Sequence, residues 1–325
     1  MPYKQESIMA CVKKISESHL KANHFMGKGS HQEVNESMSE QVNFEELKRF
    51  SAEIRKETVR AIGYAGFGHI GGSVSISDVL AVLYGGMMNI DPSNPKWEDR
   101  DRLVLSKGHC GPGLYAALAL KGFFPMDWLK TVNKPGTNLP SHADGQKTPG
   151  VDMSTGSLGN GASSAVGIAL GSRVQGRDNY TYCIVGDGET NEGEVWEAAE
   201  TAAALKLDHF VLFVDWNKKQ LDGRLEDILD PGDLEEKFRA FGFDARTVKG
   251  YDTEEIWKGI EEAKKVEGKP HVIILDTIKG LGIDFAEAEE FNHYMTFDIE
   301  KAEEACAEID RRLAEGTYPG GDFKW

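Results

Sequence analysis

A chain of 325 residues with 40% hydrophobic content can bury a full core, as one large α/β domain or two ordinary ones. Its 53 acidic residues outnumber the 37 basic ones for a formal charge of −16, which weighs against nucleic acid as a partner. Four scattered cysteines, Cys11, Cys110, Cys183 and Cys306, lack C-x-x-C spacing, which argues against a zinc or disulfide framework and for a reducing, cytoplasmic setting.

No uninterrupted apolar run reaches the ~18 residues of a membrane-spanning helix, and the first residues lack the apolar stretch of a secretory signal, so neither is expected. Residues 1–43 read as an extension, flexible or packed on a partner, in which Ile8, Met9, Val12, Ile15 and Leu20 mark one weak helical face. The domain proper is expected over 44–325. Leu47, Phe50, Ile54, Val59 and Ile62 space a helix from Phe44 to Gly66, and a Gly-rich turn over Gly66–Gly72 follows. Ser75-Ile76-Ser77-Asp78 has the form of an N-terminal capping signal for a helix over Ile76–Met88. Leu103–Ser106 is a short strand whose turn, Lys107–Gly113, opens a helix through Leu120.

A second Gly-rich segment, Ser154–Gly161, opens an Ala- and Gly-rich helix ending near Gly176, whose small residues imply close packing on a neighbour. Strands then fall at Thr181–Val185, Phe210–Val214, Ala245–Val248 and Val272–Asp276, with helices near Gly193–Leu205, Leu234–Phe241 and Glu254–Val266 and a helical tail over Ile299–Leu313. Nearly continuous apolar strands alternating with helices predict an α/β fold, a parallel sheet covered by helices on both faces. Ligands in such sheets collect at the carboxyl ends of the strands.

Chemistry-bearing residues gather at those ends. Gly186-Asp187-Gly188 follows one apolar strand and Asp215-Trp216-Asn217 closes the next. The plain reading of Asp187 is a helix N-cap, worth about 1 kcal/mol. Paired with Asn217 it offers one carboxylate and one amide oxygen, the way proteins hold Mg²⁺ when phosphates complete its shell. Three further turns each carry a histidine: Gly68-His69-Ile70-Gly71, Gly108-His109-Cys110-Gly111 and Pro140-Ser141-His142-Ala143. A lone loop histidine is ordinarily a solvated surface residue. These three together with His293 at one rim suit proton transfer and hydroxyl recognition instead. Lys107 and Lys279, each beside Gly in a turn, read either as anion clamps or as ordinary exposed lysines.

Four segments, Gly68–Gly72, Asp99–His109, Thr155–Gly161 and the Gly-Asp-Gly…Asn pair, resemble in content and order the diphosphate-binding part of transketolase, from about Phe44 to His293. The resemblance implies thiamine diphosphate as cofactor, with Asp187, Asn217 and the backbone carbonyl of Lys219 holding Mg²⁺, or Ca²⁺ or Mn²⁺ in its place. It implies that Gly188 and His109 contact the diphosphate, that Gly156, Ser157 and Leu158 border the rest of the cofactor, and that Lys279 lies near the phosphates. His69 and His142 would face substrate, and His293 would stand between diphosphate and substrate. Glu192 and Glu197 would belong to a carboxylate network at the cofactor and subunit contact. Two departures stand out: Gly71-Gly72 follows the first histidine, and Asn292-His293-Tyr294 replaces the His-Gly of single-chain members.

The part of transketolase carrying the Glu that activates the aminopyrimidine has no counterpart in these residues. The resemblance therefore implies the N-terminal subunit of a split transketolase, transferring a two-carbon ketol unit from a ketose phosphate or sulfonated ketose to an aldose. A separate C-terminal subunit would supply the pyrimidine-binding domain and the activating Glu in an α2β2 assembly. The alternatives are the corresponding component of a deoxyxylulose-phosphate synthase-like or 2-oxoacid-decarboxylating enzyme, or a non-catalytic regulatory partner.

Overall fold

The computed structural model describes residues 42–321, so the extension expected over 1–43 lies outside the described residues save for its last two positions. Asn43 instead belongs to the first helix: its side chain accepts from the Glu46 amide at 3.2 Å and caps α1 (Phe44–Ala65). β1 (Phe67–Gly68) leads into α2 (Ile70–Val74) and α3 (Ser77–Val82), which runs on as a π turn over Leu83–Met87. β2 (Arg102–Leu105) passes through a tight turn to α4 (Gly111–Leu120), and a long irregular stretch returns to α5 (Asn160–Val174). Next come β3 (Thr181–Gly186), α6 (Gly193–Ala204), β4 (Phe210–Trp216), α7 (Leu225–Ile228) and α8 (Leu234–Ala240). The chain continues through β5 (Asp244–Lys249), α9 (Thr253–Lys264), β6 (His271–Asp276), α10 (Asp284–Glu287), β7 (Met295–Thr296) and α11 (Ile299–Glu315).

Five strands pair in the order β2-β3-β4-β6-β5, all parallel, as the apolar strand pattern predicts. Alternate residues of β4 feed opposite faces. Leu212 and Val214 meet Ala162 and Ala165 of α5, Val195 and Ala199 of α6 and Phe238 of α8. Val211 and Phe213 meet Leu80 of α3, Leu114 of α4 and Ile256 and Ile260 of α9. A smaller cluster joins Val59 and Ile62 of α1 to Ala302 and Ile309 of α11.

The chain advances from β2 to β4 with α5 and α6 on one face, jumps to the edge strand β5, and returns to β6 through α9 on the other face, which α4 shares. That reversal opens a crevice at the carboxyl ends of β4 and β6, where open α/β sheets bind ligands. Register aligns the two ends, Gly186 with Asp215 and Trp216 with Asp276.

The region before β2 departs from expectation. The capping signal at Ser75–Asp78 does not form: Ile76 is the N-cap without a side-chain bond, because the Ser75 hydroxyl donates to Asp215 and Asp78 pairs with Arg55. The helix expected over Ile76–Met88 forms as α over Ser77–Val82 and continues as the π turn to Met87, within which Gly86 leaves helical geometry. The stretch Ile70–Met87 does have the length and apolar content of a membrane span, contrary to expectation, yet 83% of it is buried in this fold.

Candidate active site

Asp187 leaves β3 directly into a tight 3-10 turn over Gly188–Asn191, and its carboxylate accepts from the amides of Gly188 at 2.7 Å and Lys218 at 2.6 Å. It is thus the N-cap of the plain reading and also a wall of the cleft. Asn217, at the end of β4, donates its amide nitrogen to Asp215 at 2.7 Å, which turns the amide oxygen the other way. The same Asp215 oxygen takes the Ser75 hydroxyl at 2.7 Å and the Lys107 ammonium. Burial opposes the charge on Lys107, but Asp215 carries its pKa above the ordinary lysine value. Lys107 is therefore committed to Asp215 and to the Gly72 carbonyl at 2.9 Å, not free as an anion clamp.

Four imidazoles ring the cleft above this floor. His69 lies 5.1 Å from His109, 5.7 Å from His142 and 5.2 Å from His293 between ring centroids, and His109 lies 4.8 Å from His293. Each arrives by a different route. β1 pairs antiparallel with β7, setting Gly68 opposite Met295, and so brings His69 and His293 together with their rings edge to face. His109 rides the 3-10 turn after β2. The His142 loop is tied down by Ala143, whose amide donates to Gly108 at 3.1 Å, and by Tyr115, whose hydroxyl donates to the Pro140 carbonyl at 2.8 Å.

Burial lowers all four histidine pKa values: His69 to about 4 and His293 to about 3, with His109 depressed strongly and His142 in the same direction. The ring is therefore neutral near pH 7, able to donate from one nitrogen and accept at the other. For His293 the tautomer follows from Lys279, whose ammonium donates to Nδ1 at 3.0 Å and so leaves the proton on Nε2. Lys279 also donates to the carbonyls of Lys219 at 2.9 Å and Gln220 at 3.1 Å. Burial lowers its pKa, while burial and the neighbouring Asp215 raise that of Asp187.

Donor chemistry tests whether a cation fits here. The Asp187 carboxylate, the Asn217 amide oxygen and the Lys219 carbonyl are three hard oxygens suited to Mg²⁺ or Ca²⁺, and the Lys219 carbonyl already takes a cationic group, the Lys279 ammonium. Among the described residues no group of three or more His, Cys, Asp or Glu side chains could hold a metal ion alone. The oxygens therefore fit a cation that brings further ligands with it, as a magnesium diphosphate does.

Of the other anticipated residues, Gly156, Leu158 and Gly188 line the cleft, whereas Ser157 is exposed beside it. Glu192 and Glu197 are exposed and do not line it. The buried carboxylate is Glu189, which the 3-10 turn folds back so that it accepts from Ser106 at 2.5 Å, the Gly159 amide at 2.9 Å and the Gly186 amide at 3.0 Å. Gly72, from the first Gly-rich turn, lines the cleft, and so do Gln220 and Leu221, to which no motif points. Leu221 had one signal, an apolar residue within an otherwise polar loop. Close packing of the Ala- and Gly-rich helix is real at Gly161, where a Cβ would meet the Ser106 backbone at 2.5 Å.

Residues 47–307 match the family described as transketolase, thiamine diphosphate binding domain. The chain belongs to the transketolase family. It is 51% identical over 261 residues to the 6-deoxy-6-sulfo-D-fructose transketolase subunit SqwG of Clostridium sp. (strain MSTE9), covering 80% of this chain and 95% of that one. It is 38% identical over 270 residues to one subunit of the apulose-4-phosphate transketolase of Actinobacillus succinogenes, covering 82% and 97%. Among solved structures, a transketolase of Pichia stipitis in complex with sedoheptulose 7-phosphate superposes with TM-score 0.74 at 29% identity. That match covers 83% of this chain and 44% of the other, so the chain spans less than half of such transketolases.

Proposed function

We propose that this chain is the diphosphate-binding subunit of a two-chain transketolase, moving a two-carbon ketol unit from a ketose to an aldose with thiamine diphosphate and magnesium. The observation that carries the proposal is one cleft in which the oxygens of Asp187, Asn217 and Lys219 lie beneath a ring of four neutral imidazoles. Asp187, Asn217 and Lys219 would hold the cation, and Gly188, His109 and Lys279 the diphosphate. Thiamine diphosphate, when bound, supplies the electron sink that lets a bond between two hydroxylated carbons break and re-form. The chain's own part is placement, exclusion of water, and proton movement at ketose and aldose hydroxyls by His69, His142 and His293.

The donor proposed is a ketose bearing a terminal sulfonate. The relative named for 6-deoxy-6-sulfo-D-fructose shares 51% identity, against 38% and 35% for those named for apulose 4-phosphate. A second chain with the pyrimidine-binding domain and the activating Glu completes the enzyme, as α2β2. The test is ketol transfer measured with the isolated chain, with its partner chain, and with both. Transfer is expected only from the mixture, and faster with 6-deoxy-6-sulfofructose than with fructose 6-phosphate. Transfer by the isolated chain would overturn the two-chain reading, and the reverse donor preference would overturn the sulfonate.

A further inference from the structure

Lys279 carries an inference that rests on this cation site and goes beyond it. Its ammonium has three protons and three acceptors, the carbonyls of Lys219 and Gln220 and His293 Nδ1, at 2.9, 3.1 and 3.0 Å. Lys279 is only 3% exposed, so water does not share the task. One acceptor, the Lys219 carbonyl, is also a proposed ligand of the divalent cation. An ammonium and a divalent cation on the same oxygen repel at short range in a buried site. A saturated ammonium also has no proton left for a phosphate oxygen. Lys107, by contrast, gives two of its three protons to Asp215 and the Gly72 carbonyl and is paired in charge with Asp215.

We infer that Lys279 competes with the divalent cation for the Lys219 carbonyl and, once displaced, donates to the diphosphate, so that cation and diphosphate bind well only together. Alone, the cation must evict an ammonium that has nowhere better to go. When the diphosphate arrives with it, the released ammonium gains an anionic acceptor in exchange for a neutral carbonyl. Lys279 is thereby a positioning and coupling residue, and its removal has two effects of opposite sign. Removing an ordinary diphosphate contact would weaken the diphosphate and leave the bare cation alone. Simple structural damage would weaken both.

The experiment titrates the full-length chain with Mn²⁺, reading free Mn²⁺ by electron paramagnetic resonance, with and without inorganic pyrophosphate, and measures pyrophosphate binding by calorimetry. Lys279→Met is expected to bind Mn²⁺ alone about tenfold more tightly than the unaltered chain, and pyrophosphate in saturating Mn²⁺ about tenfold more weakly. Lys279→Arg, which keeps the charge, should leave Mn²⁺ binding within about twofold. If Lys279→Met does not fold by circular dichroism, Lys279→Gln is read in the same way. Unchanged or weaker Mn²⁺ binding in the folded uncharged variant would overturn the competition while leaving the cation site intact. Asp187→Asn separates the two readings: Mn²⁺ binding that ignores it would overturn the site itself, and the inference with it.

Discussion

One oxygen of Asp215 takes the Lys107 ammonium, the Ser75 hydroxyl and the Asn217 amide together, and so decides which way Asn217 presents its oxygen. Asp215 and Lys107 are 0% and 2% exposed, and removing one charge of such a pair strands the other in a dry interior. Asp215→Ala should therefore lower unfolding free energy by about 3–5 kcal/mol, and the paired change Asp215→Leu with Lys107→Met by clearly less, as measured by urea unfolding. Equal costs would show that the ion pair is not what holds this floor. His69 adds a pH dependence. Its folded pKa is depressed to about 4 from 6.5, so between those values the unfolded chain binds the proton more readily than the folded one. Its contribution is fully present above about pH 6.5 and is lost as pH falls from there toward 4. His69→Gln should accordingly gain thermal stability relative to the parent over that window, with the two converging in slope above it. A difference in melting temperature that does not vary with pH would exclude the assignment.

At the scale of elements, the two-residue pair β1 and β7 does more for the site than its length suggests, because it aligns two of the four histidines. Around it, Asn292 (1% exposed) donates to the carbonyls of Lys279 at 2.9 Å and Ala286 at 2.8 Å, and its own carbonyl accepts from Gly71 at 3.1 Å. There is no space for a side chain at Gly71: a Cβ would lie 2.5 Å from the Asn292 carbonyl oxygen and 2.9 Å from Lys279 Cγ. Gly71→Ala should cost about 1–3 kcal/mol in thermal unfolding and shift Lys279 and His293 together. Turnover of the two-chain enzyme should then fall further than the stability loss accounts for. A stable variant with unaltered turnover would count against this clamp.

The five-stranded sheet was readable because buried parallel strands leave continuous apolar runs, as in Tyr182–Val185 and Phe210–Val214. β1 and β7 were not, since two residues are too few to show a period. Gly71-Gly72, a departure from the family pattern, is explained by Asn292 and Lys279 packed on Gly71 and by the Cys110 sulfur packed on Gly72, which only tertiary contact reveals. Likewise Glu189 and Glu192 are indistinguishable as acids on either side of Thr190-Asn191. Only the 3-10 turn decides that Glu189 points inward.

For the whole molecule, the decisive feature is the exposed apolar groups at the rim of the cleft. Leu221 lines it yet is 59% exposed, and Phe67 and Tyr294 beside His69 are 39% and 45% exposed. The partner chain proposed above would cover these open apolar groups around the cleft. If the proposed partner subunit covers this rim, cofactor and partner each bury surface that the other leaves wet, and their binding is coupled. Coupling free energy is reciprocal: the factor by which the partner tightens thiamine diphosphate must equal the factor by which thiamine diphosphate tightens the partner. We expect that factor to be at least about tenfold, within the usual range of coupling between sites. It is read by calorimetry of the cofactor on the isolated chain and on the complex, and by ultracentrifugation of the two chains with and without thiamine diphosphate and Mg²⁺. Tyr294→Ala, at the exposed rim beside His69, should shrink both factors together while leaving cofactor affinity of the isolated chain nearly unchanged. If thiamine diphosphate bound the isolated chain as tightly as the complex, this cleft would already be whole, and a partner would be needed for chemistry alone.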